Sequence, residues 1–493
     1  MLFNSLHFAV FFPVVTVLYF ALPHRVRWLL LLAASCYFYM AFVPVYILIL
    51  GFTIVVDYFA GILIASSAGR TRRLFLILSL IANLGILAVF KYYDFFVGSL
   101  NAASSAFGSP FALPLLSLLL PIGLSFHTFQ AMSYTIEVYR GRQPPERHFG
   151  IYALYVMFYP QLVAGPIERP QHLLHQFREV HQFDGARVRR GLTLMAWGLL
   201  KKVVLADRLA PLVERAYGSP GDFGGAPLAV ATICFAFQIY CDFSGYSDMA
   251  LGSAEVMGFR LMRNFNSPYL ASSVADFWRR WHISLSTWLR DYVFLPLSYR
   301  LMRASARDVL LGIRRDAWVY SAATMITMFL CGLWHGAAWT FVIWGLLHGF
   351  YLSFGFATRR VREQAVTRAA GWLPAGVVTA MRITVTFLLV CVAWVFFRAP
   401  SVHAAWEILS RSFTGWGGMP GPRLIDDTAS GLLLASLLAV VLWVEHKEPQ
   451  HDARAWLAAR PPAVRWMVYS AMGLTILLFG QLDQQLPFIY FQF

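Results

Sequence analysis

Long apolar stretches recur along the whole chain and constrain its fold more than any other feature. The clearest cover residues 8–22, 45–65, 74–90, 319–330, 341–356, 377–397, 432–444 and 467–479. Less uniform ones lie at 28–42, 114–129, 152–163, 192–204 and 229–239. A helix needs about 20 apolar residues to cross a bilayer, and only helices and closed barrels satisfy their backbone hydrogen bonds in lipid. The pattern predicts an all-α polytopic membrane protein with about eleven to thirteen membrane segments, some of them re-entrant.

The composition supports this class. Of the 493 residues, 58% are hydrophobic and 13% are charged, and the mean hydropathy is +0.59. A soluble protein carries about 25% charged residues. No linker or low-complexity tract interrupts the pattern, so we expect a single integral membrane domain over residues 1–493, with its polar chemistry gathered at 240–350.

The net charge of +15 indicates membrane topology rather than nucleic-acid binding. Arginine and lysine cluster between the apolar stretches, at 24–27, 69–73, 140–148, 187–190 and 358–363. Cytoplasmic loops of membrane proteins carry such an excess of positive charge. If 24–27 is inside, 69–73 is inside too, two helices later, and the N-terminus is outside. No cleavage site precedes the first apolar stretch, so we expect it to be a retained helix.

Motifs of several other classes are missing from the sequence. The five cysteines are scattered and form no CxxC pair, which argues against a disulfide framework or a zinc site. There is no phosphate-binding loop motif, no D-x-D and no G-x-S-x-G. We therefore expect no bound metal or cofactor and no serine nucleophile.

The segment CGLWHGAAWTFVIWGLLHG, residues 331–349, places an ionisable side chain inside an apolar helix. His335 stands between Trp334 and Gly336, and intramembrane ionisable groups are usually functional. A neutral imidazole there suits a general base that accepts a proton from a hydroxyl, whereas the alternative is a histidine bonded to a neighbouring helix. Gly336 also ends a GxxxG pattern, which allows close approach of a second backbone or a substrate. On one continuous helix His348 would lie about 140° round from His335, which favours a structural role for His348.

The segment DFWRRWHISLSTWLRDY, residues 276–292, has an amphipathic helical pattern. Plotted as one helix, its aromatic and apolar residues except Ile283 fill an arc of about 120°, opposite the arginines, with His282 at the edge of the arc. Such a helix lies along an interface or lines a polar cavity. The pattern predicts that His282 looks into that cavity.

The charged residues of this helix have three possible roles. Arg279, Arg280 and Arg290 suit either contact with lipid headgroups or a grip on the phosphates of an anionic donor. Asp276 and Arg280 are four residues apart, so an ion pair within the helix is a purely structural alternative.

Other polar residues lie in or beside three apolar segments. They are Gln238, Asp242, Ser244, Ser247 and Asp248 in one segment, His127 and Gln130 in another, and Gln161 and Glu168 in a third. In the first, Asp242 and Asp248 suit either the lining of the cavity or a helix-terminal or ion-paired role, and we interpret the polar residues of the other two as structural first. Proline and glycine beside the last two groups predict broken or kinked helices.

These motifs closely resemble the membrane-bound O-acyltransferase family, in particular its bacterial alginate and polysaccharide O-acetylation subgroup. The resemblance rests first on residues 276–297 and 331–349, in which His282 and His335 are 53 residues apart. Further similar segments follow the same order, at 120–134, 159–170, 239–252, 258–269 and 483–493. The resemblance therefore spans nearly the whole chain.

The resemblance implies helices around a central funnel or tunnel in a bacterial inner membrane. His335 matches the family's central histidine, essential for acyl transfer, and His282 matches a second position that assists. The donor would be a cytoplasmic acyl thioester such as acetyl-CoA, and the acetyl group would reach periplasmic acetyltransferase partners and a polysaccharide. The expected donor-binding residues are Asp276, Arg279, Arg280, Arg290, Trp281, Trp334 and Gly336. The chain departs from the alginate type at 298–308, where a glycine-containing turn is missing, which leaves alginate, cellulose, another exopolysaccharide or a cell-wall polymer as acceptor.

Two functions of other classes compete with an acyltransferase. A transporter could export a polymer or an anion with His335 as the proton-coupling residue. A structural subunit could scaffold an export complex. Cleavage of a thioester distinguishes the enzyme from both.

Overall fold

The protein is almost entirely helical. The computed structural model describes residues 1–108, 112–304, 309–310, 313–414, 428–451, 453–482 and 486–489. Within these ranges the only strands are β1 (Val309–Leu310) and β2 (Ile313–Arg314), which form one antiparallel pair. The distinctive segment at 298–308 lies outside the described residues beyond Ala304, and so does most of the closing motif at 483–493.

Seven helical spans in the described part of the chain are long and apolar enough to cross a membrane. They are Pro44–Ser66, Gly69–Ala106, Gly225–Met257, Arg315–His335, Trp339–Ala357, Ala375–Arg398 and Pro462–Phe479. Two shorter apolar helices, Leu6–Ala21 and Gly431–His446, accompany them. The predicted class, an all-α polytopic membrane protein, is confirmed, although fewer segments reach spanning length than the eleven to thirteen expected.

The described residues form twenty-two α-helices. They are α1 (Leu6–Ala21), α2 (His24–Met40), α3 (Ile47–Ser66), α4 (Gly69–Leu87), α5 (Tyr93–Ala106), α6 (Leu124–Tyr139), α7 (Phe149–Met157), α8 (Pro170–Leu173), α9 (Gly185–Leu200), α10 (Asp207–Gly218), α11 (Gly225–Met257), α12 (Val274–Trp278), α13 (Ile283–Leu289), α14 (Leu295–Ala304), α15 (Arg315–His335), α16 (Trp339–Ala357), α17 (Arg359–Ala370), α18 (Ala375–Arg398), α19 (Val402–Thr414), α20 (Thr428–His451), α21 (Ala453–Ala458) and α22 (Pro462–Phe479).

Short 3₁₀ and π segments join or extend several of these helices. The 3₁₀ turns are Pro44–Tyr46, Leu174–Arg178, Pro220–Asp222 and Pro268–Leu270. The π segments are Ala88–Tyr92, Lys201–Ala206 and Arg290–Phe294. A π segment adds a residue to a helical turn and rotates the side chains that follow it, which is why such segments are frequent at functional sites.

Two apolar stretches that were predicted to be membrane segments are broken. In the stretch 114–129, helix α6 begins only at Leu124, after Gly123, whose φ of 79° is left-handed. In the stretch 152–163, helix α7 ends at Met157 and turns follow it. The predicted interruption by proline and glycine is therefore observed. The second break is buried, so other segments can satisfy its freed backbone groups, whereas residues 112–119 before the first break are exposed.

Helices α9 and α11 cross in close contact. A Cβ added to Gly198 would lie 2.5 Å from the carbonyl oxygen of Gly245, and one added to Gly252 would lie 2.5 Å from that of Gly191. Four glycines, two on each helix and seven residues apart, thus let the backbones touch. Close backbone approach through small residues is the usual packing mode of helices in lipid.

Candidate active site

His335 is the last residue of α15, at the turn of a tight helical hairpin. Gly336 follows in an extended conformation, and α16 begins at Trp339. A Cβ on Gly336 would lie 2.1 Å from the ring of Phe341, so only glycine fits there. Residues 331–349 are therefore two antiparallel helices rather than the one continuous helix that was expected.

The hairpin is closed by small residues. A Cβ on Gly332 would lie 2.3 Å from the carbonyl oxygen of Phe341, and one on Gly345 would lie 2.2 Å from that of Met328. The close approach predicted from the GxxxG pattern occurs between α15 and α16. This contact holds His335 against the first turns of α16.

His282 lies in a bend between α12 and α13. Its φ of 43° and ψ of 54° are left-handed, a conformation that non-glycine residues rarely adopt. The single amphipathic helix predicted over 276–292 is therefore wrong. The wheel pattern described the side-chain polarity but could not reveal the turn, because the turn is fixed by a segment distant in sequence.

That segment is the extended chain at Asn264–Asn266, which runs beside the bend. The amide of Ile283 donates to the carbonyl of Asn264 over 2.9 Å, and the hydroxyl of Ser284 donates to the Asn264 side chain over 2.6 Å. The amide of Asn266 donates to the carbonyl of Arg280 over 2.9 Å. These bonds on both sides of His282 hold it in its strained conformation.

The two histidines are brought together in an aromatic enclosure. Their ring centroids are 6.4 Å apart, and Trp334 lies 5.8 Å from His282 and 4.9 Å from His335. Phe243 contacts His282 at 4.7 Å, and Phe397 contacts His335 at 5.3 Å. His282 is 0% exposed and His335 is 4% exposed.

The apolar enclosure favours uncharged imidazoles. Burial lowers the pKa of His282 to about 3, because desolvation penalises the imidazolium form. A neutral imidazole has one ring nitrogen free of a proton, so it can accept a proton. The geometry can therefore support general base chemistry at neutral pH.

His348 lies near this pair but has contacts of a structural kind. Its Nδ1 accepts a hydrogen bond from the indole of Trp278 over 3.3 Å, and its ring stacks on Phe277. Trp344 contacts both His348 and His335, at 5.0 and 4.9 Å. The angular separation expected from one continuous helix does not apply, since the two histidines lie on different helices.

Trp281, next to His282 in sequence, packs against aromatic residues of other segments. Trp281 is fully buried and packs against Tyr240, Phe265 and Trp394. It therefore anchors the bend that carries His282.

The charged residues of the same segment contact carboxylates. Arg280 pairs with Asp276 at 3.1 Å, the ion pair that was considered as an alternative, and Arg279 lies 3.6 Å from the same carboxylate with its side chain 73% exposed. Arg290, in the last π segment, pairs with Asp291 at 2.8 Å. The arginines of this segment are therefore paired with Asp276 and Asp291.

The first of the other polar segments forms ion pairs with two buried lysines, and the second contains a buried histidine. Asp242 pairs with Lys202 at 2.6 Å, and Asp248 pairs with Lys201 at 2.7 Å. His127 is buried in α6. The pairing fits the structural interpretation of both aspartates.

The third polar segment is held by hydrogen bonds. The Gln161 side chain donates to the carbonyl of Tyr155 over 2.9 Å, and the Gln130 side chain donates to the same carbonyl. Glu168 contacts His172 over 2.7 Å. Burial raises the pKa of Glu168, and the hydrogen bond with Glu168 raises the pKa of His172. These contacts also fit a structural role.

Lys91 is the neighbour of His335 that sequence reasoning missed. It lies in the π segment Ala88–Tyr92, and its ammonium donates to the carbonyl of Trp334 over 2.6 Å. The apolar stretch 74–90 ends directly before it, so Lys91 looked like a flanking residue. The helical span in fact continues to Ala106, and a lysine inside such a span was the signal that could have identified it.

The fold and this site define a multi-pass membrane protein with a histidine pair enclosed among its helices. Residues 148–396 match the membrane-bound O-acyltransferase family, and the chain belongs to that family. It is therefore an enzyme, an O-acyltransferase. Membership of this family favours that function over a transporter or a scaffold subunit. The family predicted from the sequence motifs is confirmed.

Three relatives show how far the similarity extends. The chain is 39% identical to the probable alginate O-acetylase AlgI of Azotobacter vinelandii over 433 residues, 87% of this chain and 81% of that protein. It is 35% identical to the protein of the same description from Pseudomonas putida, over 98% of both chains. It is 33% identical to the peptidoglycan O-acetyltransferase of Helicobacter pylori, over 85% of this chain and 81% of that protein.

Proposed function

We propose that this enzyme takes an acetyl group from acetyl-CoA on the cytoplasmic side and passes it across the inner membrane for O-acetylation of an exopolysaccharide such as alginate. The observation that carries the proposal is the enclosed pair His282 and His335, 6.4 Å apart, in a chain of the O-acyltransferase family. We infer the acetyl group and the polymeric acceptor from the names of the relatives, which include alginate and peptidoglycan enzymes.

The position of His335 along its helix supports transfer between the two sides. Helix α15 has 21 residues, which corresponds to about 30 Å, the thickness of the hydrocarbon core. Basic residues stand at its beginning, Arg314 and Arg315, and after α16, at 358–363. By the positive-inside rule both ends of the hairpin are cytoplasmic, so its turn and His335 point toward the outer side. The same rule applied to the basic cluster at 24–27 makes the N-terminus periplasmic.

In the proposed reaction His335 is the general base and residues 240–350 supply most of the catalytic core. Its imidazole takes the proton of an acceptor hydroxyl, and the oxygen attacks the carbonyl carbon of the thioester. The new C–O bond forms and the C–S bond breaks. The thiolate leaves with the proton from His335, as free thiol. His282 assists by positioning the reacting groups beside Trp334.

The donor is anionic, and the arginines near the bend are suited to it. In the proposal Arg279, Arg280 and Arg290 attract the phosphates of the donor, since guanidinium groups bind phosphate in a bidentate manner. Asp276 orients the first two through its ion pairs, and Trp281 and Gly336 shape the enclosure around the histidines. The substitutions Arg279→Gln and Arg290→Gln should each raise the KM for the donor and leave kcat unchanged.

The acceptor hydroxyl lies on the outer side of the membrane in this proposal. It belongs to a periplasmic acetyltransferase partner, which then modifies the polysaccharide, or to the polymer itself. Membrane lipid surrounds the enzyme on all apolar faces.

The experiment that tests the function is thiol release from acetyl-CoA by the full chain reconstituted in lipid nanodiscs. The wild type and His335→Ala are compared, each with and without polymer and periplasmic extract. Thiol release that depends on an acceptor and is lost in the variant supports the proposal. Absence of release from the wild type with every acceptor, or equal release by the variant, would overturn it.

A further inference from the structure

A lysine lies inside the longest apolar helical span, next to the end of α15. Residues Gly69–Ala106 form a span of 38 residues, and Lys91 is in the π segment that joins α4 to α5. A cation among apolar helices is costly unless it is paired. The partners of Lys91 therefore show what keeps it there.

Those partners are carbonyl and hydroxyl oxygens. The Lys91 ammonium lies 2.6 Å from the carbonyl oxygen of Trp334, 3.3 Å from that of His335 and 3.4 Å from the hydroxyl of Ser125. No carboxylate within the described residues forms an ion pair with it. The two carbonyls are the last of α15, and the final carbonyls of a helix have no partner within the helix.

This arrangement is favourable electrostatically. The C-terminus of a helix carries a partial negative charge, and a cation placed there is stabilised by it. The capping ammonium also restrains the residue that carries the candidate base, because Lys91 contacts the backbone of His335 itself. The π segment supports this placement, since the additional residue in the turn rotates the following side chains.

We propose that Lys91 is a positioning residue for the transfer reaction, which rests on the proposed function. Its ammonium fixes the end of α15, and thereby the orientation of the His335 ring relative to His282.

The test compares Lys91→Met, Lys91→Arg and the wild type as full chains in nanodiscs. Lys91→Met should lower kcat for thiol release by about 100-fold, as expected for a misplaced reacting group, and leave the KM for acetyl-CoA nearly unchanged. Lys91→Arg, which keeps the charge and the donors, should recover much of the loss. Tyr93→Phe is the matched control, because it removes a hydrogen bond of the same helix to the carbonyl of Pro114, away from His335.

Hydrogen exchange provides a second readout that does not depend on activity. In Lys91→Met, amides of the peptide covering 328–340 should exchange about tenfold faster, because the end of α15 loses its cap, and Lys91→Arg should restore protection. Unchanged exchange in Lys91→Met would overturn the proposal, and so would an unchanged kcat. If the wild type releases no thiol, the proposed function fails, whereas the exchange measurement still decides whether Lys91 holds this helix end.

Discussion

The imidazole rings of His282 and His335 lie 6.4 Å apart although 53 residues separate them in the sequence. His282 is held in a left-handed bend, and His335 is the last residue of helix α15. Both are enclosed by aromatic rings, and Trp334 contacts both of them. The following predictions depend on this arrangement.

Replacement of His335 should abolish catalysis without unfolding the protein. We expect His335→Ala to lower thiol release by about 10²- to 10⁴-fold, the usual contribution of a general base, and to elute from size exclusion as the wild type does. The matched control is His348→Gln, which alters another buried histidine and should keep activity within a few fold. Comparable losses in both variants would indicate that the aromatic packing, rather than the His335 imidazole, is required.

Position 282 should tolerate only side chains that accept a left-handed backbone. Asparagine adopts this conformation far more readily than a β-branched residue does. We expect His282→Asn to fold with reduced activity, and His282→Val to lose a further 1–3 kcal/mol of stability, roughly the strain of such an outlier. Thermal unfolding of both variants in the same detergent measures the difference, and equal stability of the two would show that the bend relaxes.

Burial of His282 should make the protein less stable in mild acid. Its folded pKa of about 3 lies below its usual value of 6.5, so below pH 6.5 the unfolded chain binds a proton that the folded chain does not. Stability is therefore complete above pH 6.5 and falls progressively as the pH decreases toward 3. At pH 5.5 we expect this histidine alone to lower stability by about 1 kcal/mol relative to pH 7.5. The wild type and His282→Asn should differ in this slope, and identical pH dependence would contradict the prediction.

The sequence predicted the class of the fold, because that class depends on local patterns, and the same patterns singled out His335 as a candidate site residue. Apolar stretches of spanning length and a histidine within one of them are visible without a structure. The bend at His282 was not predictable, since it is fixed by hydrogen bonds from Asn264 and Asn266, and a helical wheel contains no information about distant segments. Lys91 was missed for a related reason. The role proposed for Lys91 depends on its contact with Trp334, 243 residues further along the chain.

The glycine crossing of α9 and α11 should not tolerate a larger side chain. A Cβ at Gly198 would lie 2.5 Å from the carbonyl oxygen of Gly245, a backbone atom that cannot move aside without displacing its helix. We expect Gly198→Ala to cost about 1–3 kcal/mol, as overpacking does, and to lower the yield of folded protein. Gly473→Ala on α22 is the matched control, because a Cβ there meets nothing within 4 Å. That substitution should be neutral or slightly stabilising, since alanine is the better helix former. Thermal unfolding of the two variants gives the comparison, and a Gly198→Ala protein as stable as the control would mean that the two helices can separate at this point without loss of packing.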